Sequence, residues 1–179
     1  ITLTYFNILK ADTSAHYDFS SRADRNGMNV ASLSWGGNVF PAHWSSIAKD
    51  ITFYGNFVTE QNSHAGNGYS SVNAYGLYVE PGYTFSTVPW QPHIFYRYMR
   101  LSGNKTPNGS VKRGYDTLFL YNGRRFAYGG YWPGEIVGLY LAPLSDVTVN
   151  QIDITATPPI HINGKEDELR LGLHYYDLA

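Results

Sequence analysis

The sequence predicts an all-β fold, an antiparallel meander of about eight strands. Three observations predict it. Stretches with a period of two recur along the chain, joins rich in Gly, Asn, Ser and Pro separate them, and no segment with a helical period competes. The clearest stretch is 72–103, VNAYGLYVEPGYTFSTVPWQPHIFYRYMRLSG. Tyr75, Leu77, Val79, Pro81, Tyr83 and Phe85 share one parity; Ala74, Gly76, Tyr78, Glu80, Gly82 and Thr84 share the other. A period of two sends these sets to opposite faces of a strand, one apolar and aromatic, the other small or polar. Residues 86–92 then turn the chain, and a second strand runs over 93–101, which makes a hairpin.

The other elements follow in order. The first strand is expected over 1–9 and the second over 27–36. The third spans 50–60, where Ile51, Phe53, Gly55 and Phe57 oppose Thr52, Tyr54, Asn56 and Glu60. Residues 44–49 fit a single helical turn. The hairpin supplies the fourth and fifth strands, with Pro81 predicting a bulge or a local break because it lacks an N–H. The sixth is expected over 134–141 and the seventh over 147–157. The eighth covers 168–178, with Leu169, Leu171, Leu173 and Tyr175 against Glu168, Arg170, Gly172 and His174. Joins at 86–92 and 143–146 are short, and those at 12–26, 61–71, 102–132 and 158–167 are long. This rough alternation suits the turns and loops of a transmembrane β-barrel, although 37–49 breaks it.

Two architectures share this pattern. In a soluble sandwich the apolar face meets a second sheet; in an outer-membrane barrel it meets lipid and the polar face lines the lumen. Composition leans to the barrel. Charged residues are 15%, against roughly 25% in soluble domains, while aromatics reach 16%, with 16 Tyr. No apolar run reaches the length of roughly 18 residues that a membrane helix needs, so any span is made by strands. The net charge of −1 gives no field for nucleic acid, and the absence of cysteine excludes disulfides and thiolate metal sites. Residues 1–5 read as mid-strand and 175–179 lack a terminal aromatic, so a segment of a larger barrel is expected. An open sheet with one lipid-facing side would leave unpaired edges, which also calls for closure or for further strands.

Candidate functional residues follow from parity and charge. Arg97 groups with His93, Phe95 and Met99. A charge facing lipid at mid-depth costs about 2–4 kcal/mol, so Arg97 is expected to face the lumen. Arg100 has the opposite parity but can snorkel to the rim. Glu80, Arg170, Glu168 and Tyr78 are lumenal by the same argument, and Tyr54, Tyr78 and Tyr176 could stack on sugars or simply pack the wall. The loop over 102–132 carries Lys105, Lys112, Arg113, Arg124 and Arg125 against one acid, Asp116. Such a loop concentrates anions, contacts lipopolysaccharide phosphates or is merely solvated. Trp90, Trp132, Tyr131 and Tyr83 read as interface anchors. The six His are scattered without metal-ligand spacing, and no Gly-x-Ser-x-Gly elbow occurs. An enzyme is not expected, and neither is a cofactor.

The order of short motifs resembles the bacterial alginate-export outer-membrane porin family. Glu80-Pro81-Gly82-Tyr83-Thr84-Phe85, Pro89-Trp90-Gln91-Pro92, Tyr96-Arg97-Tyr98 and Ser102-Gly103 look like that family's strand pair. Tyr115-Asp116-Thr117-Leu118-Phe119 and Gly134-Glu135-Ile136-Val137-Gly138 are similar to its Asp-Pro-Leu-Phe loop and following strand, with Thr117 where the family usually has Pro. The resemblance covers roughly residues 72–142. It implies a larger, anion-selective barrel that passes alginate or a related acidic polysaccharide during export. It places Arg97 at the family's inward Arg and Glu80 at the Glu before Gly-Tyr. The implied partners are outer-membrane lipid, lipopolysaccharide, the anionic polysaccharide and periplasmic export components, at the bacterial outer membrane. A soluble carbohydrate-binding β-sandwich and a small plugged barrel without transport remain the alternatives.

Overall fold

The computed structural model describes residues 1–9, 25–41, 43, 45, 47–64, 68–104, 109–116, 146–158 and 171–179. These form one eight-stranded sheet. Its strands are β1 (Thr2–Ile8), β2 (Met28–Trp35), β3 (Ile51–Asn62), β4 (Ser71–Thr84), β5 (His93–Leu101), β6 (Val111–Lys112), β7 (Val147–Ala156) and β8 (Leu171–Leu178). The order along the sheet is β1-β2-β3-β4-β5-β7-β8, and it is not closed among the described residues. β1 and β2 pair antiparallel from Thr2↔Ser34 to Ile8↔Met28, and β7 and β8 from Val149↔Leu178 to Ala156↔Leu171.

Most predicted strands lie within a few residues of the observed ones. β4 runs unbroken through Pro81. The predicted turn over 44–49 is a 3-10 turn at Ala48–Asp50, where the Ser45 hydroxyl accepts from the Ile47 and Ala48 amides. Two features depart from a simple meander. β6 adds to β4 in parallel, through Ser71↔Val111 and Val72↔Lys112, and β5 is followed in the sheet by β7. The strand predicted over 134–141 lies outside the described residues.

The chain falls into two compact units. Ile1–Trp35, Gly55–Tyr78 and Met99–Thr148 form the first; Gly36–Tyr54, Val79–Tyr98 and Val149–Ala179 form the second. In the first unit one parity of β2 to β5 is buried: Met28 and Val30 of β2, Val58 and Glu60 of β3, Val72 and Ala74 of β4, Met99 and Leu101 of β5. The other parity leaves Leu3, Tyr5, Leu33, Phe57 and Tyr75 exposed. In the second unit Val149, Gln151 and Asp153 are buried, while Ile94, Tyr96, Ile152, Ile154, Leu171, Leu173 and Tyr175 are exposed. The alternation read from the sequence is thus the alternation of faces, and large apolar side chains occupy the open one.

Candidate functional site

In the second unit a row of polar side chains crosses four neighbouring strands, β4, β5, β7 and β8, on the less exposed face. Arg97 of β5 pairs with Glu80 of β4 through its Nε and Nη2. Its Nη1 donates to Gln151 Oε1 of β7 at 3.1 Å, and its guanidinium lies 4.9 Å from the Phe95 ring centre. The Gln151 amide nitrogen donates to Asp153 Oδ2 at 2.8 Å and to the Tyr176 hydroxyl at 3.2 Å. Asp153 Oδ1 lies 2.9 Å from Nδ1 of His174.

Strand register explains the row. Gln151 faces Tyr176 and Asp153 faces His174 across β7 and β8, so all four side chains share one face. Asp153 is buried while His174 is half open, with 47% of its side chain exposed. The ring's Nε2 lies over Gly172, where a β carbon would come within 2.9 Å of it. Guanidinium, amide, carboxylate, imidazole and phenol thus lie in sequence on one surface. Such a surface can hydrogen-bond a solute rich in hydroxyls or carboxylates.

A second cluster lies in the first unit. Arg25 Nε donates to Asp116 Oδ2 at 2.7 Å and Nη2 to Oδ1 at 2.6 Å, a two-pronged pair that is almost wholly buried. The Asp116 amide donates to Glu60 Oε2 at 2.9 Å. Glu60 is fully buried, and among the described residues its Oε1 has no hydrogen-bond partner. Tyr115, also buried, lies over Gly76; a β carbon there would come within 3.0 Å of the ring. Burial raises the Tyr115 hydroxyl above the ordinary phenol range, and the carboxylates of Glu60 and Asp116 push the same way. Gly27, at φ +75°, turns the chain between Arg25 and β2, and its amide donates to Ile8 at 2.7 Å.

The sequence-predicted residues divide accordingly. Arg97 and Glu80 meet directly, and Tyr78 lies partly buried on β4 two positions from Glu80. Lys112 sits partly buried in β6. Arg113 is exposed; its amide donates to Asn104 Oδ1 and its carbonyl accepts from Ser102 Oγ. Arg100 pairs with Asp146 at 3.3 Å and donates to Thr148 at 3.0 Å. Arg124, Arg125, Arg170, Lys105 and Glu168 lie outside the described residues. Sequence reading passed over Gln151, Asp153 and His174 as a group, although laying the alternation of 147–157 against that of 168–178 would have put them on one face. It also passed over Arg25 and Glu60, and no local pattern marks that cluster. No group of three His, Asp or Glu able to hold a metal occurs among the described residues. No protein-family model, curated protein or solved structure matches this chain.

Proposed function

We propose that the chain is a wall segment of a bacterial outer-membrane β-barrel of porin type that passes an anionic solute. The observation that carries this reading is the polarity of the two faces. The buried face mixes Glu60, Asn56, Gln151 and Asp153 with Val30, Val58, Val72 and Met99, whereas Leu3, Phe57, Tyr75, Ile152, Leu171 and Leu173 are exposed. Water disfavours that arrangement on both counts, since apolar area is left wet and polar groups lose their hydration. Hydrocarbon against the exposed parity, with the polar groups turned inward, favours it. The second reading, a soluble carbohydrate-binding sandwich, would lay a second sheet on the exposed face.

In this reading the row from Glu80 to His174 is the stretch of wall along which the solute moves. Arg97 is the attracting group, because its planar fork matches a carboxylate on the solute. Glu80 competes for the same fork and keeps the solute from being held too tightly, as conduction requires. The motif resemblance makes alginate or a related acidic polysaccharide the substrate class. Outer-membrane lipid, lipopolysaccharide and periplasmic export components are then the partners.

Reconstitution of the full-length protein in planar bilayers tests it. Arg97→Glu changes the local charge by two units. At a water-like dielectric and about 8 Å from the ion this is worth about 1 kcal/mol, roughly a fivefold loss of anion preference. Glu80→Gln frees the guanidinium and raises that preference. Unchanged selectivity in Arg97→Glu sinks the role of Arg97, and a protein that stays monomeric in water without detergent supports the sandwich instead.

A further inference from the structure

We propose that Tyr176 is a second contact for the solute beside Arg97, and that Gln151 is the positioning residue that turns the Tyr176 hydroxyl hydrogen toward it. The ligand this pair fits is a hydroxylated carboxylate, with its acid group at Arg97 and a hydroxyl or ring oxygen at Tyr176. The inference rests on the porin reading and names how the wall tells one anion from another.

The amide of Gln151 sets the polarity of the row. Gln151 is almost wholly buried and lies between a group that only donates and a group that only accepts. Arg97 Nη1 donates to its Oε1 at 3.1 Å, and its Nε2 donates to Asp153 Oδ2 at 2.8 Å. A guanidinium has no acceptor, and a carboxylate has no hydrogen to give. Turning the amide over would set N–H against N–H and oxygen against oxygen. One orientation is therefore forced.

That orientation dictates the phenol. The same Nε2 lies 3.2 Å from the Tyr176 hydroxyl. An amide nitrogen carries two hydrogens and accepts nothing, so here the hydroxyl oxygen accepts. Its own hydrogen is then left to give elsewhere, and among the described residues no second partner meets it. Tyr176 faces Gln151 in the β7–β8 register, and its side chain is partly exposed.

The same amide also holds Arg97. Glu80 grips the guanidinium at Nε and Nη2, Phe95 lies against it, and Gln151 takes Nη1. Both groups that meet the solute thus bear on one buried amide, Arg97 on its oxygen and Tyr176 on its nitrogen. Groups fixed in advance lose less freedom on binding than two mobile side chains would.

Block of the chloride current through the full-length protein in planar bilayers tests this with two probes. Glucuronate and cyclohexanecarboxylate have the same charge and ring size, and only glucuronate carries hydroxyls and a ring oxygen. The readout is the half-blocking concentration of cyclohexanecarboxylate divided by that of glucuronate. Tyr176→Phe keeps the ring and should lower this ratio about threefold or more, as the loss of one hydrogen bond does. Gln151→Glu keeps the shape but offers the Tyr176 hydroxyl an acceptor, so the hydrogen turns to the protein. Its added charge weakens both probes alike, and the ratio should fall as it does in Tyr176→Phe, with no further fall when the two changes are combined. A merely structural Gln151 would weaken both probes and leave the ratio where it was. Circular dichroism in detergent reports whether each variant folds, and either variant alone can overturn its part of the proposal. An unchanged ratio in Tyr176→Phe overturns the Tyr176 contact and spares the porin reading, since both probes still block. A ratio that falls in Tyr176→Phe but not in Gln151→Glu overturns the positioning role. A wild-type protein that inserts and never conducts overturns the porin reading and this inference with it.

Discussion

Arg25 and Asp116 are 91 positions apart in the chain and are joined by two short hydrogen bonds under almost complete burial. Each would be costly alone, because a charge removed from water needs both a partner and filled hydrogen-bonding positions. Removing one partner should therefore hurt more than removing both. Arg25→Met leaves the Asp116 carboxylate buried beside Glu60 and is expected to lower the unfolding free energy in detergent by about 3–5 kcal/mol. Arg25→Met with Asp116→Leu should recover most of that loss, and denaturant midpoints compare the two. A double variant no more stable than the single one would show that the pair does not act as a unit. Nothing in the sequence announces this pair, since neither residue lies in an alternating stretch. The shared face of Arg97 and Glu80 was legible, because each sits in a strand whose parity fixes its face, but that the two side chains meet was not. The partners Gln151, Asp153 and His174 needed a register that short motifs do not supply.

The elements repeat that contrast. Long alternating strands were readable to within a few residues, since a single slip would turn every side chain to the wrong face. β6 was not, because two residues carry no period, and the placement of β7 beside β5 depends on a long connection. The turn between β4 and β5 carries a cost that the sequence does not show. Trp90 and Gln91 have φ of 76° and 42°, in a region that bulky residues avoid. Four backbone bonds hold them there: the Phe85 amide donates to Pro92, Val88 to Phe85, Gln91 to Val88 and Thr157 to Trp90. Trp90 itself is half exposed. Trp90→Gly should thus stabilise the turn by about 1 kcal/mol, since glycine adopts this conformation without a clash. If the indole anchors the turn at the lipid headgroups, as its type predicts, the same change weakens insertion. The paired measurement is the thermal midpoint in detergent and the yield of insertion into vesicles. A variant less stable in detergent than the wild type contradicts the strain argument, and one more stable with unchanged insertion leaves the indole with no part in anchoring.

At the scale of the whole molecule the question is which medium lies against the exposed parity. Each exposed Leu, Ile or Tyr of that face would add an apolar area that water disfavours by about 25 cal/mol per Å². Hydrocarbon removes the penalty without any second layer of protein. It cannot, however, satisfy the outer N–H and C=O groups of β1 and β8, which end the strand order. The two requirements are met together only if those edges are paired, by each other or by further strands, as in a barrel. The cysteine-free chain allows both to be probed with nitroxides on single cysteines. Labels at Tyr75 and Leu173 in lipid vesicles should be far more accessible to oxygen than to a water-soluble nickel complex, and a label at Ala74, on the buried parity, should be accessible to neither. Labels at Leu3 and Leu178 should be immobilised if the edges are paired and mobile if they are free. Preference for the nickel complex at Leu173 would mean that water, not hydrocarbon, lies against this face, and the exposed apolar side chains would then call for a partner sheet.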